Sequence, residues 1–208
     1  VSYSSSFVFN GFNDQSILIF ATAPLLLGIG QSLVIISGGI DLSVGFVMGL
    51  SAVVLATVVQ SFSGEAHGVA LAIGFLITFL VCLIPGLING LLVTKLKVPP
   101  FIGTLGMYGV ARGSGFIIAD GMTVPVDNDW LYKLGTEKIL GIPIVVLIVI
   151  IVVIIFHFIL SQTRFGQYTY AIGGNREAAI RSGINVDRHI IIIYVLSSFC
   201  AFLAGLVY

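Results

Sequence analysis

The stretch VIISGGIDLSVG, residues 34–45, places an acidic side chain behind two glycines in the middle of apolar sequence. No other charged residue occurs between Ile17 and Phe62. A bare carboxylate in hydrocarbon costs several kcal/mol, roughly 2.5 to 3.5 on insertion scales, so Asp41 has to face protein, water or a capping partner. Gly38 and Gly39 let the chain turn without side-chain clashes, and Asp41 can then accept the amide hydrogens of Ser43 or Val44 where the next helix starts. Two readings stand side by side. The segment is a capped hairpin between two spans, or it is part of a gate beside a translocation axis, where polar backbone at membrane depth is tolerated.

Outward from this segment, the 208-residue chain is 58% hydrophobic and 9% charged. A soluble domain carries about a quarter charged residues, so most of this surface is not made for water. Residues 17–37, 42–60, 69–93, 99–119, 142–160 and 190–208 are continuous apolar runs, close to the roughly 20 residues a helix needs to cross a bilayer. A membrane barrel would instead show alternating segments of about ten residues. The expected fold class is all-α, a polytopic transmembrane helix bundle of about six spans. The sequence starts at Val1 without methionine and ends at Tyr208 inside an apolar run. It therefore reads as one transmembrane domain, residues 1–208, taken from a larger protein with both ends missing.

Flanking charge gives the orientation. Lys95 and Lys97 follow the third span, and Arg164, Arg176, Arg181 and Arg188 fill the loop between the fifth and sixth. The segment from Asp120 to Gly141 sets Asp120, Asp127, Asp129 and Glu137 against Lys133 and Lys138. The basic loops belong on the cytoplasmic side. Residues 1–15 and Glu65 are then external, and Asp41 lies near the inner side. Trp130 and Tyr132 fit interfacial anchors as well as ordinary loop packing. Nine Lys plus Arg balance nine Asp plus Glu, with no basic block to attract nucleic acid. Cys82 and Cys200 lack paired spacing and read as small buried hydrophobes.

Other polar residues interrupt the spans. Asn89 either hydrogen-bonds across a helix pair or lines a polar channel. Thr104 follows the proline pair that starts the fourth span, and Arg112 lies eight residues beyond it. Arg112 is costly to hide, so it faces a pathway, pairs with a carboxylate, or snorkels. Gly86 with Gly90, and Gly109 with Gly113, favour close helix contacts. His157 reads as a packed or interfacial histidine. The gate or pathway candidates are Gly38, Gly39, Asp41, Ser43, Asn89, Thr104 and Arg112.

The loop TRFGQYTYAIGGNREAAIRSGINVDRH, residues 163–189, is too patterned for a simple connector. Asn175 can cap a short helix from Arg176 to Ser182, with Glu177 in its first turn and Gly183 just past its end. Ala178, Ala179 and Ser182 offer a face small enough for another protein to approach. A helix this short is marginal alone, so neighbouring span ends or a partner must hold it.

Three stretches carry a resemblance: ISGGIDLSVG (residues 36–45), NGLLVTKLKVPPFIGTLGM (89–107) and YAIGGNREAAIRSGINV (170–186). In order and spacing they resemble the permease subunit of bacterial ABC importers for ribose and related sugars, within a superfamily that also includes branched-chain amino acid permeases. The resemblance implies a multi-pass protein of the bacterial inner membrane. It also implies a second permease subunit, identical or a paralogue, a cytoplasmic ABC ATPase that binds ATP and Mg2+, and a periplasmic or lipid-anchored sugar-binding protein. The ATPase-coupling element it implies covers Gly174, Asn175, Arg176, Glu177, Ala178, Ala179, Arg181, Ser182 and Gly183, within a cytoplasmic loop at 163–188. No cofactor is expected on this chain, which has no GxxxxGK[ST] loop for ATP. An autonomous secondary transporter or channel for a small polar solute is the rival reading, with Asp41 and Arg112 its strong ion-site candidates. An enzyme is weaker still, because HExxH and GxSxG are both absent.

Overall fold

In an apolar medium each segment has to satisfy its backbone internally, and continuous Leu, Ile and Val runs do so as helices. The computed structural model describes residues 11–62, 67–126 and 128–208. Asn10, Glu65 and Asp127 lie outside the described residues, as do the external placements expected for Glu65 and for residues 1–10. The helices are α1 (Gly11–Ile36), α2 (Val44–Ser61), α3 (His67–Thr94), α4 (Pro100–Ile118), α5 (Asp129–Thr136), α6 (Ile144–Gln162), α7 (Arg164–Gly174), α8 (Arg176–Arg181) and α9 (Val186–Val207). A small antiparallel hairpin, Lys138–Ile139 with Ile142–Pro143, joins α5 to α6.

All six expected spans form helices with shifted ends. Five of them, α1, α2, α3, α6 and α9, are long and apolar enough to cross a membrane. The fourth expected span, α4, has 19 residues and carries Arg112 and repeated glycines, and it falls outside that set. Asn13 and Asp14, expected in an external segment, belong to the first turn of α1. The last helix starts at Val186, earlier than the apolar run, because the Asn185 side chain accepts the Arg188 amide and caps it. Residues 164–174, expected as loop, form α7.

The centre of the bundle is α9, which packs against α1, α2 and α3. More than half of its apolar window is buried, 56%, against 22–33% for the other four membrane-length helices. Small residues allow this closeness. A Cβ on Gly90 of α3 would lie 2.8 Å from Ile191 Cα, one on Gly30 of α1 would lie 3.0 Å from Ser197 Cα, and one on Gly86 would collide with the Tyr194 carbonyl oxygen. Phe202 of α9 packs edge-on against Phe75 and Phe79 of α3.

The two ends of the bundle differ in charge. At one end Asn128 Nδ2 donates to the His67 carbonyl and His67 Nδ1 lies 3.4 Å from Asp129. Trp130 and Tyr132 of α5 are exposed there. At the other end Lys95, Lys97 and Arg176 gather around Asp187. The basic loops grouped by the charge count thus share one end of the bundle.

Replacing Gly86 by Val should force α3 and α9 apart. Overpacking of this kind costs about 1–3 kcal/mol, and the thermal unfolding temperature in detergent should drop by several degrees. Gly28→Ala, where an added Cβ meets nothing within 4 Å, should leave it unchanged.

Candidate functional site

Between α1 and α2 the chain unwinds. Gly38 takes a left-handed φ of +85°, which a glycine adopts without steric cost. The Gly39 amide still donates to the Val34 carbonyl at 2.9 Å. A Cβ on Gly39 would sit 2.9 Å from the Tyr194 hydroxyl and 3.0 Å from Val34 Cγ1. The two glycines therefore have separate duties, the turn at Gly38 and a close approach to α9 at Gly39.

This turn carries Asp41 inward, to 2% exposure. Its Oδ1 accepts the Ser43 amide at 2.9 Å and the Ser43 hydroxyl at 2.6 Å, and Oδ2 accepts the Ser197 hydroxyl of α9 at 3.1 Å. Ser43 Oγ in turn accepts Asn89 Nδ2 of α3 at 3.0 Å. The Ser43 amide is one of the two amides expected from the sequence as partners of Asp41. Burial pushes the Asp41 carboxyl up from the ordinary carboxylate range, and the Ser43 hydroxyl, Ser43 amide and Ser197 hydroxyl oppose that rise.

The free carbonyl of Ile40 is satisfied from two other elements. Tyr194 donates its hydroxyl at 3.3 Å, and Thr104 of α4 donates at 3.4 Å while bonding more closely, at 2.8 Å, to the Pro100 carbonyl. The structure thus brings Asp41, Ser43, Asn89 and Thr104 into one buried cluster, with Gly39 half-buried and Gly38 exposed at its edge. Asn89 Oδ1 is buried there without a hydrogen-bond partner among the described residues. Arg112 stands apart, exposed, with its guanidinium 5.7 Å above the Phe46 ring.

The α7–α8 arm reaches this cluster from the basic end. A Cβ on Gly173 would overlap the Ile36 carbonyl oxygen, so only glycine lets α7 abut the end of α1. Thr169 Oγ1 of α7 lies 2.9 Å from His189 Nε2 of α9. A cavity of about 250 Å³ at this junction is lined by Gly38, Gly39, Gly174, Asn175, Arg176 and Tyr194, among others.

The expected short helix is present over Arg176–Arg181, one residue shorter than expected. Asn175 Oδ1 accepts the Ala178 amide at 3.0 Å, and Gly183 follows with a φ of +82°. Its orientation differs from the expectation in one respect: Ala179 is 3% exposed and packs into the protein's own core near Ile172 and Val186. The exposed face carries Glu177, Ala178, Ile180, Arg181 and Ser182. A sequence pattern of small residues cannot say which of them a six-residue helix uses to seat itself. Arg176 anchors the arm through Asp187 at 3.4 Å, and Asp187 also pairs with Lys95 at 3.2 Å and Lys97 at 3.8 Å.

Sequence reasoning missed Tyr194, Ser197 and Asp187. The pair Ser197–Ser198 inside an apolar run was a usable signal for a polar contact within the bundle. Asp187, beside the α9 cap, carried no such mark. Among the described residues no group of three or more His, Cys, Asp or Glu side chains could hold a metal ion.

The family described as branched-chain amino acid transport system / permease component matches residues 15–208. The chain is 42% identical over 182 residues to the ribose import permease protein of Bacillus subtilis (strain 168), covering 86% of this chain and 55% of that protein. It is 34% identical over 199 residues to the D-allose transport system permease protein of Escherichia coli (strain K12), covering 94% and 58%. It is 37% identical over 182 residues to the L-arabinose transport system permease protein of the same strain, covering 88% and 54%. The chain spans a little over half the length of these relatives. No solved structure matches it.

Asp41→Ala would strip a buried acceptor from Ser43 and Ser197. Unpaired buried donors cost about 1–3 kcal/mol each, so the thermal unfolding temperature in detergent should drop clearly. Asp41→Asn keeps an acceptor oxygen in place and should lose less than half as much.

Proposed function

This chain belongs to the branched-chain amino acid transport system / permease component family, and from that premise we propose that it is the membrane-spanning permease part of an ATP-driven importer of a monosaccharide in the bacterial inner membrane. The family is one of transport permeases, not enzymes. The sugar is of the ribose type or a close relative, delivered by an external binding protein. The reading is supported by relatives whose names assign them ribose, allose and arabinose transport.

The observation that carries the mechanism is the α7–α8 arm. It holds an exposed helix at the basic end of the bundle while Gly173 abuts the end of α1, directly before the Asp41 segment. In this reading Gly174, Asn175, Arg176, Glu177, Ala178, Ala179, Arg181, Ser182 and Gly183 form the coupling element. Ala179 seats it, Arg176 ties it to Asp187, and the outer face with Ile180 meets the ATPase. ATP-driven closure of the partner would displace α8, and the Gly38–Ser43 segment with Asn89 and Thr104 would act as the gate it moves. ATP and Mg2+ stay on the ATPase. A second permease subunit, identical or paralogous, completes the pathway.

The test is reconstitution of the full-length protein with the ATPase encoded beside it. Single cysteines at Glu177, Ile180 and Arg181 should crosslink to the ATPase, while one at Ala179, facing the core, should not. Ile180→Asp should reduce stimulation of ATP hydrolysis by the loaded binding protein at least fivefold. Absence of crosslinks, together with solute flux through the protein alone, would replace this reading with an autonomous transporter.

A further inference from the structure

The groove between α2 and α4 is separate from the Asp41 cluster and is built from unusual material for a membrane face. Three glycines line it: Gly49 of α2, where an added Cβ would meet nothing within 4 Å, Gly115 of α4, where it would make only ordinary contact with Leu50, and Gly121 just past α4. The groove encloses about 390 Å³ and is lined by Phe46, Gly49, Leu50, Arg112, Phe116 and Thr123, among others. That volume falls at the lower end of the roughly 300–1,000 Å³ of small-molecule sites.

Arg112 decides what this face borders. It is exposed on α4, and none of the ion pairs among the described residues includes it. Exposing a guanidinium to hydrocarbon at mid-span costs roughly 2.5 to 3.5 kcal/mol on insertion scales, and such residues line polar conduits instead. The Arg112 guanidinium lies 5.7 Å from the centroid of the Phe46 ring, which in turn lies 4.2 Å from that of Tyr108 at an interplanar angle of 66°. The result is a planar fork of donors beside the Phe46 ring in an open groove, with Tyr108 supporting that ring from outside the groove's lining.

The groove has a direction. It extends past the end of α4 to Gly121 and Thr123, at the acidic end of the bundle. Its other limit, Phe46, lies three residues beyond Ser43 of the Asp41 cluster. A solute entering from the acidic end would meet Arg112 and Phe46 before it reached the segment assigned above as the gate.

We propose that the α2–α4 groove is a transit subsite for a neutral monosaccharide, with the Arg112 guanidinium donating to adjacent hydroxyls and the Phe46 ring packing on the C–H face of the sugar. Five donors in a fixed plane suit neighbouring hydroxyl oxygens. Aromatic faces contribute contact area at little conformational cost. The proposal rests on the sugar-permease reading and deepens it by naming where the sugar is held outside the gate.

The test uses the full-length protein with its ATPase and binding protein in proteoliposomes, with labelled D-ribose, D-allose and L-arabinose as probes. For whichever probe the wild-type system imports, Arg112→Leu and Phe46→Ala should each lower import at least tenfold, and Arg112→Lys, which keeps the charge and loses the fork, at least threefold. Copurification with the ATPase monitors folding of each variant. Independently, Arg112→Cys in a background lacking Cys82 and Cys200 should react with a membrane-impermeant thiol reagent added outside, and the imported sugar should slow that reaction at least threefold. Import by both the Leu and Ala variants at the wild-type rate, no reaction of the cysteine, or protection by acetate in place of sugar would each overturn the subsite while leaving the permease reading intact. Import of none of the three probes by the wild-type system would overturn the sugar-permease reading itself, and the subsite with it.

Discussion

A carboxylate buried among apolar helices has to be given donors, and at Asp41 that requirement fixes several elements at once. Its three hydrogen bonds come from the Ser43 amide, the Ser43 hydroxyl and the Ser197 hydroxyl. Asn89 then holds Ser43 from α3. The start of α2, the rotation of α9 and the depth of α3 are thus set by one small network. The carboxylate is served in full, and the cost of the arrangement falls on Asn89, whose Oδ1 is left without a hydrogen-bond partner among the described residues. The close helix contacts at Gly86, Gly90 and Gly30 follow from the same need, because Ser197 reaches Asp41 only if α9 lies deep between α1 and α3.

The unwound segment adds a second demand, since its carbonyls have no helical partners. Ile40 is served by Tyr194 and Thr104, from α9 and α4. A segment held from four sides by hydrogen bonds, and abutted at its start by Gly173, cannot shift independently of those neighbours. In the proposed transport cycle this makes α9 more than a packing core. Its first turn carries Asp187, which binds the α8 arm and the α3–α4 loop, and its middle carries Tyr194 and Ser197, which bind the gate segment. In that cycle a displacement of α8 would pass from the first turn of α9 to its middle. Coupling of this kind needs contiguous physical contact between the two regions, and the contacts here are continuous from Arg176 to Asp41.

Much of this was legible in the sequence for specific reasons. The six long helices declared themselves because lipid leaves the backbone no alternative, and the cap at Asn175 and the glycine at Gly183 marked α8 at both ends. Asp41 with Ser43 was readable because their bond is local, two residues apart. The short helix α5 and the hairpin before α6 lie in a polar segment whose sequence marks charges and the two aromatics Trp130 and Tyr132 but no apolar period. Residues 164–174 form α7 although Gly166, Gly173 and Gly174 lie in it, and two of these are close-approach positions, Gly166 against the Leu160 carbonyl and Gly173 against that of Ile36.

What stayed hidden was long-range partnership. Ser197 meets Asp41 across 156 positions, and Tyr194 meets Ile40 across 154. Hydrophobic periodicity says which face of α9 is polar only when polar residues are numerous, and here a tyrosine and two serines are scattered through an apolar run. The same limit explains Ala179. Seating a six-residue helix takes one inward side chain, and an alanine turned inward looks identical in sequence to one turned outward. The polar residues of this bundle therefore divide by reach: those bonded within one turn can be assigned from the sequence, and those bonded between helices become visible only once the packing of α9 is known.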